Sequence, residues 1–372
     1  MEAWYRVEDA DRVTSPAVLV YPDRIEKNLQ RLIRTAGGVH RLRPHVNTHK
    51  MPTIVQMELS MGITRFKASS LAGLEMTAMA GGEDVLLAFQ PVGPNQRQLL
   101  ELVSLYPHTH FSTIVDDFDC ARSLSNVASK HNHLLDVYLD IDVGLHRTGI
   151  DVDSAIDFYN QIDALSHLRV IGLHAYEGQL AVDGDRTLQE AVETTFAPVW
   201  RLRDKLLQHN NSHYNNSPCH VVAGATPTMT ALSDHDGVEI GAGSAVLWDV
   251  ALEDSSPPLG FEPAAALLTR VISRPTKDHL CLDLGHKAVA SESPTAQVQL
   301  LDLPDATTVM HTAEHMVVHT RQADRWPVGS VMYALPCRIC STIAQHTEVS
   351  VVQDHHLVDR WMVVQRHRRL SI

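Results

Sequence analysis

The sequence lacks any apolar run long enough to span a bilayer. Its opening residues, Met1-Glu2-Ala3-Trp4-Tyr5-Arg6-Val7-Glu8-Asp9, lack the basic-then-apolar order of a signal peptide. These absences predict a cytoplasmic protein with no membrane partner. Positive charge is also short: Lys and Arg total 31 against 44 for Asp and Glu, a formal net charge of -13. That balance argues against nucleic acid as a partner and leaves room only for local basic pockets that hold small anions. The five cysteines are odd in number and scattered, so they build no disulfide framework. Cys337 and Cys340 form a lone C-x-x-C without the second pair or spaced histidines of a structural zinc site, and they read as buried thiols. No G-x-G-x-x-G or Walker loop stands between a strand and a helix, which weakens a nucleotide-binding reading. Repeats and low-complexity tracts are absent as well.

What is present is a chain of 372 residues, 44% apolar and 20% charged, long enough for two cores. From about residue 16 to 250, short apolar runs alternate with amphipathic stretches of helical length. The predicted strands are Ala17 to Val20, Leu42 to His45, Thr64 to Ala68, Asp84 to Phe89, His110 to Val115, Leu134 to Asp142, Leu168 to Leu173, His220 to Ala223 and Gly237 to Ile240. Pro22 to Ala36 and Asp185 to Gln208 read as helices. Such alternation predicts an α/β fold, a (β/α)8 barrel, with an open doubly wound sheet as the alternative. Pro257, Pro258 and Pro263 mark a change of texture. Beyond them strand-like pieces follow without helices, beginning with Ala266 to Ser273 and ending with Leu357 to Val364, which predicts a smaller antiparallel β domain. The expected division is a barrel over 14–252 and a β domain made of 1–13 and 253–372.

Several short motifs carry chemistry. Arg43-Pro44-His45-Val46-Asn47-Thr48-His49-Lys50 puts two histidines on either side of an amide. Strand alternation turns His45 and Asn47 to one side. Asp140-Ile141-Asp142-Val143-Gly144-Leu145-His146-Arg147-Thr148-Gly149 ends a strand with an arginine. His174-Ala175-Tyr176-Glu177-Gly178 ends another with a tyrosine. In Ala223-Gly224-Ala225-Thr226-Pro227-Thr228 a glycine lets backbone N–H groups approach an anion, and threonine adds a neutral hydroxyl donor. A second glycine turn runs Gly241-Ala242-Gly243-Ser244.

Together these motifs resemble the fold-type III pyridoxal-phosphate enzymes, in the branch of D-threonine aldolase and eukaryotic-type D-serine dehydratase, over nearly the whole chain. The resemblance implies an alanine-racemase-like barrel, a homodimer, a small amino or hydroxy acid as substrate, and pyridoxal phosphate as cofactor. It implies that Arg147 and Tyr176 face the cofactor and that Gly224, Ala225, Thr226, Gly243 and Ser244 hold its phosphate. Two departures stand out. The family pattern Arg-Pro-His-x-Lys-x-His-Lys carries the cofactor on its first lysine, and Asn47 stands there. An amide forms no imine, so the cofactor is expected to be held non-covalently if at all, with Lys50 as a candidate replacement. The family's Pro-x-His-x-Cys metal motif reads Pro336-Cys337-Arg338-Ile339-Cys340. Arginine has no lone pair to donate, so the divalent metal is expected to be absent and Arg338 to act as an anion clamp. His45, Asn47, His49, Tyr176 and Arg338 are the candidate catalytic residues. The expected function is a lyase of the D-threonine aldolase type that cleaves a small D-3-hydroxy amino acid. The alternative is a non-catalytic or cofactor-free homologue that binds a small phosphate or carboxylate.

Overall fold

The computed structural model describes residues 3–180, 187–209, 219–252, 259–290 and 297–372. The chain forms two compact units. One consists of Leu32–Asn47, Pro52–Gly243 and His367–Ile372; the other of Met1–Arg31, Thr48–Met51 and Ser244–Arg366. Pro257, Pro258 and the Asp185 start of the predicted helix lie outside the described residues.

The first unit is built on a parallel barrel sheet. Seven strands lie side by side in chain order: Arg65–Ala68, Asp84–Leu87, His110–Val115, Leu135–Ile141, Leu168–Ala175, His220–Ala223 and Val238–Ile240. All neighbouring pairs are parallel. Helices cover the strand connections, as parallel pairing demands. Two open with a side-chain cap: Ser70 Oγ accepts from Gly73 N at 3.2 Å, and Asp117 Oδ1 accepts from Cys120 N at 2.8 Å.

The predicted strand Leu42 to His45 is irregular, because Pro44 has no N–H to give to a ladder. It nevertheless joins the first and last strands. Arg43 N donates to Ile240 O at 3.0 Å, Lys67 N donates to Pro44 O at 2.9 Å, and Val46 N donates to Lys67 O at 2.9 Å. Isolated parallel bridges pair Leu42 with Ile240 and His45 with Lys67. Seven regular strands and one proline-broken stave thus form the ring.

Residues two apart on a stave share its inner face. Leu86, Ile114, Tyr138 and Val222 pack there as an apolar cluster. Beneath it lies a layer of charge. Arg43, only 1% exposed, donates from Nε to Glu239 at 2.5 Å and from Nη1 to Asp84 at 2.7 Å. Arg65 reaches the other Glu239 oxygen at 2.8 Å.

The second unit is rich in antiparallel strands. Its sheet runs Thr307–His311, Met316–His319, His279–Leu282, Ala265–Thr276, Ala17–Val20, Glu348–Gln353, His356–Met362. Val331–Pro336 pairs with both Ala265–Thr276 and Val298–Leu300. Ala17–Val20 therefore does not open the barrel as its position suggested. It pairs antiparallel with Ala265–Thr276 and parallel with Glu348–Gln353, burying Leu19 in a core with Tyr21, Leu268, Tyr333 and Val352. Its continuous apolar run suits either sheet, and only the partners decide. The strand Thr307–His311 and the short helix Ile339–Ile343 were not legible in the sequence, the former because its residues are mostly exposed. No helix among the described residues is long and apolar enough to cross a membrane.

Removing the Arg43 guanidinium takes the arginine from Asp84 and leaves Glu239 with Arg65. Arg43→Ala is expected to cost about 3–5 kcal/mol in urea unfolding, as breaking a buried pair does. A loss below about 1 kcal/mol, the range of an exposed pair, would contradict the structure.

Candidate active site

A cavity of about 550 Å³ opens where the barrel strands end, and its lining includes His45, Asn47, Lys67, Arg147, His174 and Tyr176. Each owes its place to a stave. His45 and Lys67 are bridge partners on adjacent staves, so their side chains lie on the same face. His174 stands near the end of Leu168–Ala175, in register with Asp140. Tyr176 follows that strand immediately, and Arg147 follows Leu135–Ile141. The C-terminal rim of a parallel barrel is where its loops converge on a ligand.

The tyrosine ring is set by the glycine two residues on. A Cβ at Gly178 would lie 2.5 Å from the Tyr176 ring, so only glycine leaves space for it. Two cations lie near the ring: the Arg147 guanidinium carbon is 4.5 Å from its centroid and Lys67 Nζ 6.0 Å. His45 Nδ1 accepts from Asn47 N at 3.3 Å, which holds the ring at the cavity. His174 Nδ1 and Asp140 Oδ1 are 2.6 Å apart, both buried, while Asp140 Oδ2 has no hydrogen-bond partner among the described residues.

Lys67 is the residue the sequence reading missed. It is 3% exposed, and burial pushes its ammonium down from 10.5 to about 8. Glu177 and Asp140 oppose that shift; Arg147 and Arg43 add to it. A Cβ at Gly241 would collide with Lys67 Nζ, so the second glycine turn makes room for the amine. The one signal available was its phase: Lys67 lies two residues after Arg65 on a predicted strand, hence on the same face.

The Gly224 to Thr228 turn does bind an anion, but the anion is the protein's own. Glu177, fully buried, accepts from Ala225 N at 2.5 Å, from Gly224 N at 3.4 Å, and from the Thr228 hydroxyl. The backbone donors of Gly224 and Ala225, expected to face a phosphate, are therefore already engaged by this carboxylate. Gly224 keeps a φ of +88°, the left-handed conformation the turn requires. Thr226 is buried beside it. Gly243 passes so close to His45 that a Cβ would strike the His45 carbonyl.

The remaining sequence candidates fall in the second unit. His49 is buried and its Nδ1 accepts from Met51 N at 3.1 Å; burial, with Lys50 adding, pushes its pKa down to about 3. It stays neutral there and has no access to act as a base. Lys50 Nζ donates to Cys340 O at 3.4 Å, and Cys340 Sγ lies 3.1 Å from Thr48 Oγ1. Arg338 is exposed at the start of helix Ile339–Ile343, and Ser244 opens the turn Ser244–Val246.

Residues 20–242 match the family model of the alanine racemase N-terminal domain, and residues 264–352 match that of a putative serine dehydratase domain. The chain belongs to the alanine racemase N-terminal domain family. This is the fold-type III pyridoxal-phosphate family. The chain is 26% identical to D-threonine aldolase from Arthrobacter sp, over 95% of this chain and 93% of that protein. It is likewise 26% identical to D-threo-3-hydroxyaspartate dehydratase from Delftia sp. (strain HT23), over 93% and 96%. The crystal structure of D-threonine aldolase from Filomicrobium marinum superposes with a TM-score of 0.84 at 23% identity, covering both chains in full.

The mouth residues fit this family's cofactor. A buried amine, an aromatic wall and a guanidinium share one cavity, and Asp140, hydrogen-bonded to the lining His174, has an unmatched buried oxygen.

Glu177 bonds the turn and carries a counter-charge for Lys67. Glu177→Ala is expected to cost about 3–5 kcal/mol in chemical unfolding, whereas Glu177→Gln retains one acceptor and costs less. Equal stability of Glu177→Ala and the unaltered protein would show that the carboxylate does not hold the turn.

Proposed function

We propose that this chain is a pyridoxal-phosphate lyase that breaks the Cα–Cβ bond of a small D-3-hydroxy amino acid, releasing glycine and an aldehyde. The observation that carries this reading is the convergence of His45, Lys67, Arg147, His174 and Tyr176 on one cavity at the strand ends, in a chain similar over nearly its full length to lyases and dehydratases of such substrates. Tyr176, Arg147, Thr226 and Gly243 would hold the cofactor. When bound, it supplies a conjugated ring that accepts the electron pair released as the bond breaks.

The protein's own groups do the rest. Arg147, exposed at the mouth, offers a guanidinium fork to a substrate carboxylate. His45 Nε2 takes the proton from the 3-hydroxyl as Cβ becomes a carbonyl carbon. Asp140 fixes the His174 ring and contributes negative charge beside the Lys67 ammonium. Tyr176 lines the cavity and offers its ring as a packing surface. Aldol cleavage needs a base at the hydroxyl and none at the Cα hydrogen, which suits this set better than dehydration does. Arg338 stands where the family motif has a metal-binding histidine, and a guanidinium has no lone pair to donate. We therefore read the reaction as metal-independent.

The test is incubation of protein and pyridoxal phosphate with D-threonine and with D-threo-3-hydroxyaspartate, followed by assay for glycine and aldehyde and, separately, for ammonia. Glycine and aldehyde are expected, with kcat lowered about 10²–10⁴-fold by His45→Gln and unchanged by chelation. Ammonia without aldehyde would reassign the chain to dehydration. Cofactor binding without either product would favour the non-catalytic reading.

A further inference from the structure

We propose that Lys67 is the amine that bonds to the cofactor's aldehyde in this chain, a role that the amide of Asn47 cannot take. The inference rests on the cofactor reading above and adds the identity of the covalent anchor. Three observations support it. Lys67 and Asn47 line the same cavity, the former from the stave bridged to the one that carries Asn47, so the amine that Asn47 cannot provide stands on the neighbouring stave. Its Nζ occupies the space that a Cβ at Gly241 would take. Its surroundings also favour the neutral, nucleophilic form: burial lowers its proton affinity, and the flanking carboxylates Glu177 and Asp140 offset that shift only in part. Lys50, the other lysine near the motif, is directed to the Cys340 carbonyl in the second unit.

The step balances without any oxidant. The Lys67 Nζ lone pair attacks the aldehyde carbon, a C=N double bond forms, and the aldehyde oxygen leaves as water with the two amine hydrogens. A substrate amine adds to the same carbon, its C=N replaces the one to Lys67, and its two hydrogens pass to Lys67 Nζ, which leaves as a free amine and then stands in the cavity with His45.

The experiment is borohydride reduction of the full-length protein loaded with pyridoxal phosphate, followed by proteolysis and mass mapping of the phosphopyridoxyl label. The expected result is a label on Lys67, with loss of both the visible absorption band and the fixed label in Lys67→Arg. The double variant Lys67→Gln with Asn47→Lys should regain both, with the label at residue 47. That variant also guards against Lys67→Arg failing for reasons of folding. Label on Lys50, Lys287 or any other lysine would overturn the assignment, as would a coloured protein from which reduction fixes nothing, although the cofactor reading would then survive. A protein whose absorption and melting temperature ignore added pyridoxal phosphate would overturn both.

Discussion

The salt bridges of Arg43 are the constraint on which the barrel's working end depends. Its guanidinium is held by Asp84 and Glu239 on the inner face of the staves. The same short segment gives and takes backbone hydrogen bonds with both edges of the seven-stranded sheet. Pro44 prevents that segment from becoming a regular strand, so an ion pair and a few bonds at its ends hold it where a continuous ladder would otherwise do so. His45 and Asn47 stand on this stave. Their position at the cavity is therefore fixed from beneath by buried charge.

Charge also organises the space above. The inner face carries a cationic and anionic layer at one end, an apolar cluster in the middle, and Lys67 at the cavity, where the buried carboxylates of Glu177 and Asp140 act on its charge. A lysine in that setting is poised between two influences of opposite sign, dehydration against nearby carboxylates, and the first is the larger. Glu177 links this balance to the backbone, since the same carboxylate fills the turn at Gly224 to Thr228. The turn has the form of an anion site and is stabilised by an internal anion. Its resemblance to a phosphate loop is thus a matter of shared geometry, with its two leading donors already in use.

Much of the fold was legible in the sequence because each strand had a clear local signature. Ala17–Val20, His110–Val115 and His220–Ala223 occur at their expected bounds. What local pattern cannot supply is the partner, which is why Ala17–Val20 joins the other sheet. The site was legible in part. His45, Asn47, Arg147 and Tyr176 belong to motifs with glycine or proline punctuation, and the fold brings them to one cavity. His49, two residues beyond Asn47, lies in the other unit and is buried neutral, because the chain leaves the stave after Asn47. Lys67 has no motif around it. Its significance comes from the bridge to His45, the glycine at 241 and the depth of the barrel, none of which is local in sequence. Glu177 was in plain view beside Tyr176, yet its role depends on a turn about fifty residues later.

The chemistry of the cavity depends on the state of one amine, Lys67. The most direct measurement is a pH titration of the lysine ε-carbon resonances in protein labelled at that carbon, with Lys67→Arg identifying the signal. A resonance that titrates near pH 8 and vanishes in the variant is the predicted result. A Lys67 resonance that titrates at the ordinary lysine value of about 10.4 would contradict it, because the barrel mouth would then hold a hydrated, fully charged side chain.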